Sequence, residues 1–350
     1  MNHKKNRILY LDVIRVVACM MVVLMHSPMP SKNAVGIFSV GISYFTMPCI
    51  GLFFAASGAL LLPMHYSSSN NMTELTWIKH RLLKITFPVL IWSLFYIFIN
   101  YIFDENGLER QFSRTIKALC SIPFSVQGHG VLWFMYVIAG LYLLAPVISP
   151  WLEKTSKKTL LFYLSLWGVS LCFPLLSNII AVDRSIKGSL YYFSGYAGYF
   201  LLGYYLRHFG GEIKLKYMIP LYLCILPLPV IPKILNIEVD FYDIFWYLSI
   251  FSGIMVVFWW KIIMFIADKI SYSILKNIII NISNLSFGIY LCHIFIMRKC
   301  LWPLLENVNN YYLQTFLSFT LTFCSALAVS WLISFLPVGN YIVGYKYSRA

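Results

Sequence analysis

Between Ile8 and Pro337 the chain repeats one theme: an apolar stretch about as long as a bilayer is thick, then a short polar segment. A spanning helix needs roughly 20 mostly apolar residues, within a range of about 17–25. Ten stretches fit: Ile8–Ser27, Val40–Met64, Leu83–Phe103, Val131–Pro150, Thr159–Val182, Leu190–Arg207, Tyr217–Ile234, Tyr242–Trp260, Asn277–Met297 and Tyr312–Pro337. The seventh is the weakest, because Pro220, Pro227, Pro229 and Pro232 interrupt it. Within hydrocarbon a segment's backbone groups must be satisfied by the protein, which a helix does within one segment. The expected class is therefore an all-α, polytopic integral membrane protein of about ten transmembrane helices, with residues 1–350 forming one membrane-embedded domain.

Composition removes the alternatives. Of the 350 residues, 60% are hydrophobic and 11% charged, against about 25% charged in a soluble domain. A soluble fold of this length could not solvate its surface, and a disordered chain would be far more polar. Most of the eight cysteines lie in apolar runs, which argues against a secreted disulfide scaffold. Cys120 and Cys300 fall in outer loops and could pair.

The net charge of +14 suggests nucleic acid until it is located. With the N-terminus inside, the inner segments carry seventeen Lys and Arg and four acids, while the outer loops carry nine and eight. The charge thus follows the positive-inside rule and puts both termini in the cytoplasm, with no nucleic-acid partner expected. Lys4, Lys5 and Arg7 before an apolar run resemble a signal peptide. Asp12 and Arg15 interrupt that run, however, and no small-residue cleavage site follows, so the span is expected to be retained. There is no internal repeat or low-complexity tract. The outer connection 104–130 is expected to hold a short amphipathic helix near Phe112–Leu119. Glu74–Lys84 reads as an interfacial stretch before the third span.

A charged side chain inside a membrane is costly and so points to function. Asp12, Arg15 and His26 share the first span. Eleven residues at about 100° each bring His26 to within roughly 20° of the face of Arg15, about 16 Å further along the axis. Asp12 lies three residues before Arg15. The plainer reading is an Asp12–Arg15 ion pair with His26 as a helix-end residue. His293, with Tyr290 three residues before it, lies towards the outer end of the ninth span, and His129 and Trp133 open the fourth from the same side. On the inner side, Lys79, His80, Arg81 and Lys84 form a basic cluster suited to phosphate or, more plainly, to topology and anionic lipid. Phe53-Phe54-Ala55-Ala56-Ser57-Gly58-Ala59 carries small residues that let helices approach closely, and Ser57 shows no sign of being a nucleophile. There is no His-Glu-x-x-His zinc motif, Walker loop or Gly-x-Ser-x-Gly elbow, so no metal site is expected.

Four of these segments together resemble the acyltransferase-3 family of membrane proteins. Ile8-Leu-Tyr-Leu-Asp12-Val-Ile-Arg15-Val-Val-Ala18, continued by Val22-Val23-Leu24-Met25-His26, is similar to its opening signature. Phe53-Phe54-Ala-Ala-Ser57-Gly58 is similar to its second-span signature. Leu132-Trp133-Phe134-Met-Tyr136, with Tyr142-Leu-Leu-Ala-Pro146, resembles its fourth, and Leu285-Ser286-Phe-Gly288-Ile-Tyr290-Leu-Cys-His293 its ninth. Within that family the chain resembles the surface-polysaccharide O-acetyltransferases without an appended soluble domain.

That resemblance implies an enzyme of the cell membrane, a bacterial inner or plasma membrane. It would move an acyl group, usually acetyl from acetyl-CoA, to a sugar hydroxyl of an envelope polysaccharide or lipid-linked glycan. Acyl-CoA would be a co-substrate, with no bound cofactor. The residues tied to activity in the family match Arg15 and His26. Its basic pattern before the third span matches Arg81 but has Lys84 where a second Arg is common. Its fourth-span motif often has His directly before Leu-Trp; that place is Val131 here, and the nearest imidazole is His129. In the implied scheme Lys79, Arg81 and Lys84 hold the acyl-CoA phosphates, and His26 is the general base or the acyl-carrying nucleophile. Arg15, Tyr290 or Trp133 would donate to the oxyanion, while Asp12, His293 and His129 support. The competing class is a secondary transporter exporting a lipid-linked sugar or small polar solute. The missing internal repeat weighs against it.

Overall fold

In the computed structural model the described residues are 7–30, 36–64, 73–103, 112–124, 132–179, 193–237 and 241–347. Their regular structure is helical throughout. Among the described residues, eight helices are long and apolar enough to cross a membrane: Leu9–His26, Gly36–Leu61, Leu75–Ile102, Trp133–Lys154, Lys157–Ser177, Ile250–Ala267, Ser273–Leu305 and Tyr311–Ser334. The chain is a multi-pass membrane protein. Large apolar side chains such as Phe98, Phe162, Phe316 and Leu332 remain exposed on these helices, as suits walls whose solvent is hydrocarbon.

The two remaining apolar stretches are shorter helices than expected. The sixth, whose residues 190–192 lie outside the described residues, is helical over Ala197–Phe209. Gly195, at φ +140°, turns the chain just before it, a conformation open to glycine alone. The Gly195 carbonyl accepts from the Trp167 indole N–H at 2.9 Å. The seventh is helical over Leu215–Ile225 and again over Ile231–Ile234. Pro227 and Pro229 lack the N–H groups that would join the two. The eighth is displaced: its long helix starts at Ile250, where Ser249 accepts from the Ser252 N–H at 3.2 Å. The expected amphipathic helix is present as Phe112–Ser121. The basic stretch from Glu74 is not a separate element but the first turns of one helix, Glu74–Ile102, capped by Thr73. Cys120 and Cys300 are exposed free thiols, so the pairing considered from sequence does not form.

The chain divides into two compact units. The first comprises Met1–Pro63, Ile148–Ser283 and Val308–Phe316. Its helices include α1 (Leu9–His26), α2 (Gly36–Thr46), α3 (Pro48–Leu61) and, later in the chain, those at Ala197–Phe209 and Ile250–Ala267. Pro48 opens α3 in a position where its missing N–H costs nothing. The small residues of the second-span motif do what their size suggests. A Cβ on Gly58 would overlap the Phe200 carbonyl, and one on Gly203 would overlap the Ala55 carbonyl. α3 and Ala197–Phe209 therefore touch backbone to backbone. At the C-terminal end of α3, Arg207 donates to the Ala59 carbonyl, one of the acceptors that a helix end leaves without an internal partner. α1 packs on α2, α3 and Ile250–Ala267, with Tyr10 edge-on to the fully buried Trp260 at 5.9 Å.

The second unit comprises Met64–Val147, Asn284–Asn307 and Leu317–Ala350. Glu74–Ile102 packs on the short helix Gly339–Ile342, and the Trp92 indole donates to the Ile342 carbonyl at 2.9 Å. The buried Tyr96 hydroxyl donates to the Leu291 carbonyl at 2.8 Å. Gly288 lies against Ser330 and Val343, where a Cβ would come within 2.7 Å of the Ser330 Oγ.

Candidate functional site

The first unit holds Asp12, Arg15 and His26 on α1, which runs without interruption from Leu9 to His26. The 3.6-residue period therefore holds between them. Arg15 and His26 lie on nearly one face, about 16 Å apart along the axis. Both are half-buried. Ile14, Ala18 and Val23 on the same helix are fully enclosed.

Asp12 is buried, and its carboxylate is gripped on both oxygens. Arg7 Nε donates to Oδ2 at 2.7 Å and Nη2 to Oδ1 at 2.8 Å. The Ser283 hydroxyl donates to Oδ1 at 2.7 Å. The parallel fork is the strong geometry for this pair. Arg7 also reaches the Ile280 carbonyl at 3.4 Å, which ties the start of α1 to the helix Ser273–Phe295. The fork on Asp12 thus comes from Arg7, which sequence reasoning counted only as a topology charge. Ser283 was missed altogether; it is a small polar residue 271 positions away, with no local signal.

The second unit holds Trp133, Tyr290 and His293. His293 is 1% exposed. Its Nδ1 lies 2.6 Å from the Tyr290 carbonyl oxygen. A carbonyl can only accept, so Nδ1 carries the hydrogen. In the neutral ring, Nε2 is then the basic nitrogen. The imidazole stands 5.7 Å from the Tyr290 ring, which lies 5.4 Å from Phe134, itself edge-on to Trp133 at 6.5 Å. The fourth-span and ninth-span motifs thus meet through Phe134, a buried residue that the sequence places in the fourth-span motif without a role of its own. His129 lies outside the described residues.

The same unit carries Lys79, Arg81 and Lys84 on Glu74–Ile102. Helical spacing separates them. Arg81 and Lys84 are about 60° apart, and Lys79 is turned roughly 140–160° from both. Lys79 and Lys84 are exposed and Arg81 half-buried. The Arg81 guanidinium lies over the Trp77 ring, 5.4 Å from its centroid. Trp77, Arg81 and Lys84 thus form one stripe that offers a planar fork and a point charge.

A family model described as an acyltransferase domain matches residues 8–335. No curated protein matches the chain, and no solved structure does.

Proposed function

The chain belongs to the acyltransferase-3 family, and from that premise we propose that it moves an acyl group, with acetyl the leading case, from cytoplasmic acyl-CoA to a sugar hydroxyl of an envelope polysaccharide or lipid-linked glycan. The observation that carries this reading is the stripe on α1. Arg15 and His26 share one face of an uninterrupted helix.

Their separation divides the labour. About 16 Å along the axis is too far for both side chains to act on one atom. We assign His26 to the reacting centre and Arg15 to the donor's chain. His26 takes the proton of the sugar hydroxyl as its oxygen attacks the thioester carbonyl. The tetrahedral adduct collapses, the C–S bond breaks, and the protonated imidazole returns its proton to the CoA thiolate. Arg15 offers five N–H donors to phosphate or amide oxygens. Arg81 and Lys84 are assigned to the CoA phosphates, with Lys79 adding charge. The assigned location is the cell membrane.

Mass spectrometry of envelope glycans from cells expressing wild-type or His26→Ala protein tests the reading. An acyl mass increment on wild-type glycan, lost in the variant at matched protein levels, is expected. Normal acylation by the variant would remove His26 from the mechanism. Flux of an unmodified solute through purified protein without acyl-CoA would favour a transporter instead.

A further inference from the structure

The stretch read as the start of the eighth span is built differently from a span. Five of the seven residues from Phe241 to Tyr247 are aromatic, against 18% of the whole chain. Only Phe241–Ile244 is helical, as a single turn. Ile244, Phe245 and Tyr247 point inward and are buried. Phe245 meets the Tyr44 ring edge-on at 5.5 Å.

Tyr247 pins the segment twice. Its carbonyl accepts from the hydroxyl of the fully buried Tyr199 at 2.7 Å. Its own hydroxyl donates to the Met25 sulfur at 3.1 Å, and Met25 is the residue before His26. The segment is thereby fixed at the His26 end of α1, and all of these residues belong to the first unit.

The outward side is Tyr242, 62% exposed, and the half-buried Trp246, one helical turn apart in sequence. Their ring centroids are 4.7 Å apart and their planes meet at 71°. Two rings at a wide angle make a corner. The apolar C–H face of a pyranose can lie on one ring while its hydroxyls meet the phenol or indole edge of the other. Leu or Phe would serve a buried or lipid-facing wall as well and would carry no polar edge.

We propose that Tyr242 and Trp246 form a subsite for a sugar ring of the acceptor glycan, held beside the His26 end of α1 by Tyr247. This rests on the glycan acyltransferase reading above. The residues act on the acceptor and not on acyl-CoA, so the two substrates separate in the test.

Full-length protein in lipid nanodiscs is assayed with acetyl-CoA and with envelope polysaccharide stripped of its esters by mild alkali. Trp246→Leu should raise the KM for polysaccharide about tenfold, the ratio expected for losing one well-formed aromatic contact. The KM for acetyl-CoA should stay at its wild-type value, and the thermal midpoint should fall only slightly, through the loss of the Trp246 contacts with the Tyr247 and Phe241 rings at 4.3 and 6.1 Å. Trp246→Phe and Tyr242→Leu should fall between. An unchanged polysaccharide KM in Trp246→Leu and Tyr242→Leu, with wild-type protein active, overturns this proposal alone. So does a loss that follows the thermal midpoint, which would make the segment an interfacial anchor. Wild-type protein that acylates a different acceptor and leaves the polysaccharide untouched overturns both this proposal and the reading beneath it.

Discussion

The Nδ1 atom of His293 lies 2.6 Å from the carbonyl oxygen of Tyr290, three residues earlier on the same helix. This bond fixes the ring's tautomer and orientation, and it gives His293 a structural task that is separable from chemistry. An Asn side chain places its amide near the Nδ1 position and can donate to the same carbonyl, but it has no Nε2. His293→Asn is therefore expected to keep the wild-type thermal midpoint and to retain transfer within a few-fold. His293→Leu leaves that carbonyl without its side-chain donor and should lower the midpoint. A loss of about 10²-fold or more in kcat for His293→Asn, with the midpoint unchanged, would make His293 a proton-transfer group. Thermal unfolding in detergent and steady-state transfer rates read the two effects apart.

The buried Asp12 carboxylate depends on partners from two places in the chain. Its charge is offset by the Arg7 fork, and Ser283 adds one hydrogen bond. Removing Arg7 leaves the charge uncompensated, at a cost of about 3–5 kcal/mol for a fully buried pair. The Arg7 side chain is 42% exposed, so the lower end or less is expected. Ser283→Ala removes one bond to a charged acceptor, about 1.5–3 kcal/mol before discounting for solvent. The expected order of destabilisation is Arg7→Ala first, then Ser283→Ala. Asp12→Asn with Arg7→Ala should recover part of the loss. A midpoint for Ser283→Ala as low as that for Arg7→Ala would contradict this order.

Helical spacing makes the basic cluster testable one residue at a time. Trp77, Arg81 and Lys84 share a stripe, whereas Lys79 faces elsewhere. Arg81→Gln is expected to raise the KM for acetyl-CoA about tenfold, since a guanidinium fork on phosphate is lost. Lys79→Gln should change it about twofold at most, as expected for an exposed charge acting at a distance. Equal effects of the two would mean a diffuse positive field serving topology or anionic lipid. KM measured at two ionic strengths separates these outcomes, because a diffuse field is screened more strongly.

The parts legible in the sequence were those set by local period and by apolar length. The stripe of Arg15 and His26 depends only on α1 being one helix, which it is. The amphipathic Phe112–Ser121 helix likewise follows from spacing. The parts that were not legible depend on partners distant in the chain. Nothing near Asp12 points to Ser283. Hydropathy cannot distinguish rings that bury one another from rings that face lipid, so Tyr242–Tyr247 reads as span when the long helix begins only at Ile250. The shortened sixth and seventh helices reflect backbone chemistry at Gly195 and the proline run, which a sliding average of apolar character smooths over.

The small residues of the second-span motif were read as packing residues, and their partner makes that reading quantitative. Gly58 faces the Phe200 carbonyl and Gly203 faces the Ala55 carbonyl, across a single crossing of α3 with Ala197–Phe209. A methyl at either position cannot be absorbed by a rotamer change, because the opposing atoms are backbone. The helices must separate, at about 1–3 kcal/mol for overpacking of this kind. Once one methyl has forced them apart, the second finds space already made. Gly58→Ala and Gly203→Ala should each lower the thermal midpoint, and the double variant should lower it by clearly less than the sum. The same separation shifts Ala59, whose carbonyl accepts from Arg207. Arg207→Ala should therefore cost less stability in the Gly58→Ala background than in wild type. Additive midpoints across these variants would mean that Gly58 and Gly203 do not share one contact.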